Sequence, residues 1–112
     1  RHIRVAELFR RGLANLNYRT LAATEVASPT VTAVSIDDRI SALDLINYLK
    51  EHHQILISGG LDSLSGKIFR VGHMGPTARP HGVLPLLFGI EDALRHAGVE
   101  VEPQQSLVGL EV

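Results

Sequence analysis

From Lys67 to Gly75 the chain reads Lys-Ile-Phe-Arg-Val-Gly-His-Met-Gly, a short apolar run that carries one permanent cation, Arg70, and stops at a glycine. Side chains alternate across a strand, so Phe69 and Val71 fall on one face while Ile68 and Arg70 fall on the other. A guanidinium keeps its charge at any useful pH and is costly to bury without a partner. The Phe69 face can therefore be packed under helices, whereas the Arg70 face is expected to stay open to something else. This pattern predicts an α+β domain in which helices cover one face of a small sheet.

The flanking segments supply the helices. Val5, Leu8, Phe9, Leu13 and Leu16 recur at helical spacing with Arg4, Arg10 and Arg11 between them, and Asn15 and Asn17 suggest the end of that helix. Ser41 followed by Asp44 resembles a capping box ahead of Leu43, Ile46 and Leu49, which predicts a helix reaching about His52. Leu84, Leu87, Ile90 and Leu94 mark a third helix, with Pro85 expected in its first turn and Gly98 after its end.

Strands are expected between these helices. Residues 30–36 are dense in β-branched side chains, and residues 18–22 allow a shorter strand before the break at Ser28-Pro29. Residues 54–58 form an apolar run ended by Gly59-Gly60, which places them beside the arginine strand across a polar surface loop, 59–66. Residues 99–101 could add an edge strand before Pro103, and the last nine residues show no pattern. The expectation is a three- or four-stranded sheet in one domain, 1–103, followed by a tail, 104–112. There is no internal repeat.

Composition narrows the function. A chain of 112 residues that is 45% hydrophobic holds one core. Lysine plus arginine number 11 against 12 acidic residues, and aromatic residues are 4%, so neither a positive field nor a base-stacking surface is available for nucleic acid. Cysteine is absent, which removes disulfides and thiolate chemistry and agrees with a reducing cytoplasm. The apolar run 83–90 is interrupted by Pro85 and Gly89 and is too short for a membrane span. The chain opens at Arg1 on helix-forming residues, not on a signal peptide, and is expected to be cut from something longer.

Arg70 is the residue with chemistry to offer, because its planar fork matches a carboxylate in two parallel hydrogen bonds. The competing reading is a brace, with Arg70 paired to Asp62 or Glu91. His73, at the strand end, could titrate near neutrality or serve the fold. The adjacent His52 and His53 diverge at a helix end, where contact with the helix carboxyl terminus explains them, and His73 and His81 lack a closed ligand set, so no metal is expected. Gly59-Gly60 and Gly72 with Gly75 lack the spacing of phosphate-binding loops and read as turn glycines. Lys50 and Lys67 read as solvated surface groups.

From the first helix through Gly98, the sequence resembles the carboxy-terminal small domain of class V, fold type I, pyridoxal-phosphate-dependent aminotransferases, in the alanine–glyoxylate or serine–pyruvate branch. The resemblance lies in residues 28–34 (Ser-Pro-Thr-Val-Thr-Ala-Val), Ile57-Ser58-Gly59-Gly60, the arginine strand and the last helix; Asp62 and Ser65 depart from the glycine and lysine common in that pattern. It implies transfer of an amino group between alanine or serine and glyoxylate or pyruvate, with Arg70 as the substrate-carboxylate arginine. The cofactor-bearing lysine would then lie in a large domain, since neither Lys50 nor Lys67 occupies its motif position. On this chain the resemblance implies no catalytic or cofactor-binding residue, no bound cofactor and no activity in isolation. Leu8, Phe9 or Leu13 would be exposed without the large domain, which predicts a homo-oligomer. A cysteine desulfurase is disfavoured by the missing thiol. An alternative of another class is a free-standing regulatory domain that binds a small carboxylate through Arg70 and assembles through its open sheet face.

Overall fold

The computed structural model describes residues 2–21, 31–60, 64–72 and 80–110. Asp62, His73 and the Ser28-Pro29 break lie outside those residues. Helix α1 spans His2–Asn15, and its chain then turns at Asn17, whose φ of 64° lets the Tyr18 N–H reach back to the Leu13 carbonyl at 2.9 Å. Strand β1 (Arg19–Thr20) follows, then β2 (Val31–Ser35). Helix α2 (Ala42–His53) starts where the Ser41 side chain accepts from the Asp44 N–H at 3.1 Å, and it stops at Gln54 in the left-handed conformation. Strands β3 (Ser58–Gly59) and β4 (Ile68–Gly72) precede helix α3 (Pro80–His96), and a 3-10 turn, Gln105–Leu107, comes last.

The strands make one antiparallel sheet in the order β1-β2-β4-β3. Its register sets Thr32 opposite Val71 and Val34 opposite Phe69 on one face, and Ala33 opposite Arg70 on the other. Val34, Phe69 and Val71 join a single core with Val5, Phe9 and Leu13 of α1, Leu45 and Leu49 of α2, and Leu87, Ile90 and Leu94 of α3. The three described helices thus pack against the same sheet face, the α+β arrangement anticipated from the strand that carries Arg70. Among the described residues no helix is long and apolar enough to cross a membrane.

Several details differ from the sequence expectation. Helix α3 starts at Pro80, four residues before Leu84, because proline at the first helical position loses no hydrogen bond; Pro85 is tolerated further in on an exposed position of the helix. Residues 54–57 are not strand, since Gln54 and Ile55 close helix α2 by bonding back to the Leu49 carbonyl. Gly59 is a strand residue and not part of a turn. Residues 99–101 form no strand, as Val99 caps α3 by donating to the Leu94 carbonyl and Arg95 donates to the Val101 carbonyl. Leu8, Phe9 and Leu13 are buried within this domain, so the exposure expected of them is absent. The outer sheet face is only partly open, because Ala33 and Ile68 on it are buried, with Gly60 lying close to Ile68.

Candidate functional site

Arg70 lies in β4, between Ala33 of β2 and Ser58 of β3, on the face turned away from the helices. Its neighbours on that face are small: Ala33, Ser58 and, two residues along, Gly72. A methyl group added at Gly72 would meet nothing within 4 Å among the described residues, so that end of the strand is open, while the Arg70 side chain leans the other way, toward Gly59. Arg70 itself is half-buried, and its Nε donates to the Gly59 carbonyl at 2.9 Å. Among the described residues, no carboxylate forms an ion pair with it. The side chain is thus tethered at one nitrogen to the neighbouring strand, half-buried on a sheet face that is partly open.

Glu91, one of the two candidate braces for Arg70, is engaged elsewhere. Its carboxylate is almost fully buried and accepts from the Gln104 N–H at 3.0 Å, the Ser106 N–H at 3.1 Å and the Ser106 hydroxyl, while Arg95 pairs with it at 3.0 Å. This cluster holds the segment after Pro103 onto α3. Sequence periodicity gives no sign of it, because two of the donors are backbone amides.

A second polar cluster links α2 to α3. The Tyr48 hydroxyl donates to Asp92 Oδ2 at 2.9 Å, and His53 Nε2 meets the same oxygen at 2.9 Å. Those bonds, His53 first, hold the Asp92 carboxyl below its usual range. His52 and His53 both lie against the Tyr48 ring, at 4.4 and 5.9 Å between centroids, and His96 approaches the same ring at 5.0 Å. His53 is thus explained by Asp92 across the helix pair and not by its own helix terminus. A shallow cavity of about 340 Å³ opens beside Tyr48, His52 and His96. Among the described residues no group of three or more histidines and carboxylates is placed to hold a metal.

Lys50 and Lys67 are both exposed, so neither sits in the enclosed setting that a cofactor-holding lysine requires. Nor do the described residues around Arg70 gather a cationic cup for a phosphate group. Among the described residues the arrangement offers one cation, Arg70, on the sheet face turned away from the helices and no nucleophile or carboxylate paired with it.

No family model matches the sequence. Individual proteins do. An uncharacterized aminotransferase of Methanocaldococcus jannaschii is 35% identical over 112 residues, which is all of this chain and 29% of that protein. A pyridoxamine–pyruvate transaminase of Mesorhizobium japonicum is 33% identical over 99 residues, 88% of this chain and 25% of that protein. Among solved structures, the ureidoglycine–glyoxylate aminotransferase of Bacillus subtilis superposes with a TM-score of 0.84 at 27% identity, covering 96% of this chain and 28% of that one. By this likeness in sequence and fold, the chain belongs to the class V aminotransferases. It corresponds to a segment of about a quarter of their length, the part formed by one small α+β domain.

Proposed function

We propose that the chain is the small domain of a pyridoxal-phosphate-dependent aminotransferase, residues 1–103 forming the domain and the segment from 104 onward appended to it. Its substrates are a small amino acid, alanine or serine, and a small 2-oxo acid, glyoxylate or pyruvate. The position of Arg70 carries this reading: a fixed cation on the partly open outer face of the central strands, flanked by small residues and given no carboxylate partner among the described residues. Two of the three similar proteins named above carry different amino compounds in their names but share a short 2-oxo acid with a single carboxylate, pyruvate or glyoxylate.

In this reading Arg70 binds and orients the carboxylate, which fixes the substrate's reacting carbon relative to a cofactor held by residues outside this chain. The cofactor, when bound, serves as the electron sink for the carbon–nitrogen chemistry. Ser58, Ala33 and Gly72 leave room for the ligand because none carries a long side chain.

Titration of the chain with pyruvate, followed by NMR shifts or calorimetry, tests the anchor. Arg70→Ala is expected to weaken binding by about tenfold or more, since a charge-assisted pair is worth about 1.5–3 kcal/mol. Equal binding by the wild type and Arg70→Ala would remove the basis of the proposal.

A further inference from the structure

The Arg70 tether points to a positioning role for the Gly59–Gly60 peptide. The Nε of Arg70 donates to the Gly59 carbonyl at 2.9 Å, so that nitrogen is unavailable to a ligand in this arrangement. A guanidinium can grip a carboxylate along its Nε edge or through its two terminal nitrogens, and occupation of Nε selects the second. We propose that the Gly59 carbonyl, held in place by Gly60, aims Arg70 so that it takes a small carboxylate through its terminal nitrogens. This inference rests on the carboxylate reading above and adds to it the group that orients the arginine.

The role of Gly60 follows from covalent geometry. The Gly59 carbonyl belongs to the planar peptide unit that joins Gly59 to Gly60, so any rotation forced at Gly60 swings the carbonyl. Gly60 is held tightly: a Cβ there would lie 2.2 Å from the Leu64 carbonyl oxygen, 2.7 Å from the Leu64 carbonyl carbon and 2.8 Å from Ile68 Cγ1. Two of those three atoms are backbone, so a side chain at 60 has to displace the turn and with it the acceptor of the Arg70 bond. At Gly59 a Cβ would make only an ordinary contact, 3.6 Å from Ile46 Cδ1, so the steric demand for glycine is concentrated at the second position. The carbonyl also limits substitution at 70. Lysine retains the charge but has a single nitrogen, which cannot stay bonded to Gly59 and present a two-pronged fork as well.

The test is arginine side-chain NMR on the chain as it stands, with pyruvate as the probe. In the wild type the Arg70 Nε–H is expected to exchange with water about fivefold or more slowly than an unbonded arginine, as a bond of ordinary net strength would give. Pyruvate should then shift the terminal nitrogens of Arg70 and leave the Nε–H protected. Gly60→Ala should remove the protection and weaken pyruvate binding several-fold, and Arg70→Lys should weaken it despite the conserved charge. If Gly60→Ala does not fold, the wild-type measurement decides alone. An unprotected Nε–H in a chain that still responds to pyruvate through Arg70 overturns the tether and leaves the carboxylate reading standing. A protected Nε–H with no response of Arg70 to pyruvate overturns the carboxylate reading and reduces the tether to a brace between β3 and β4.

Discussion

The hydroxyl of Tyr18 is buried and, among the described residues, meets no hydrogen-bond partner, although its ring is well placed, edge-on to Phe69 at 5.9 Å and beneath Arg39 at 4.5 Å. Burial pushes its ionisation up from 10.0 to about 12. The raised folded value means that the native state holds this proton more tightly than the unfolded chain. Its contribution is complete below pH 10 and is lost as pH climbs toward 12. Denaturant titrations across that window should show stability falling by at most about 2–3 kcal/mol from this group, and Tyr18→Phe should remove that component of the slope. At neutral pH Tyr18→Phe is expected to hold or raise stability by up to about 1 kcal/mol, since both ring contacts survive and an unpaired buried hydroxyl is gone. A drop of more than about 1 kcal/mol would show that the hydroxyl has a partner. At this scale Arg70 was legible in the sequence, because a charge within an apolar strand breaks the local pattern. The Gly59 carbonyl that tethers it was not, because every residue has a carbonyl and only the fold says which one is near.

Among the elements, α1, β2 and α2 could be read nearly to their ends, for their apolar spacing and the Ser41 cap leave few alternatives. The start of α3 was misplaced because two prolines compete for its first turn and the sequence does not rank them. Packing between α1 and α3 holds a further constraint. A Cβ on Gly12 would lie 2.6 and 2.8 Å from the two methyl carbons of Leu87, which is itself fully buried. Glycine inside a helix sacrifices about 1 kcal/mol of propensity relative to alanine, whereas overpacking a core contact costs about 1–3 kcal/mol. Gly12→Ala is therefore expected to be neutral to destabilising by up to about 2 kcal/mol, by urea denaturation, in spite of the better helix former. Stabilisation by the full propensity gain would show that α1 and α3 can separate freely. An isolated glycine amid helical spacing is the sequence sign of such a close crossing.

For the molecule as a whole, the segment after Pro103 had no pattern to read, yet it is the part that ties distant pieces together. Ser106 is fully buried against Glu91, and the Asn15 side chain donates to the Ser106 and Val108 carbonyls at 3.0 and 2.8 Å, while the Gln105 side chain donates to the Asn15 carbonyl at 2.9 Å. Glu91→Ala leaves those buried donors and Arg95 without their acceptor and is expected to cost about 3–5 kcal/mol, a large part of the total for a domain this small. Hydrogen exchange should show the 104–108 amides losing protection ahead of the sheet. Unchanged protection there would mean that Asn15 and Gln105 suffice to hold the segment. The Asn15 bonds to residues 106 and 108 also bear on the order of synthesis. Their partners stand more than ninety positions apart, so a nascent chain can assemble its strands and still lack the clasp for its first helix until position 108 has left the ribosome.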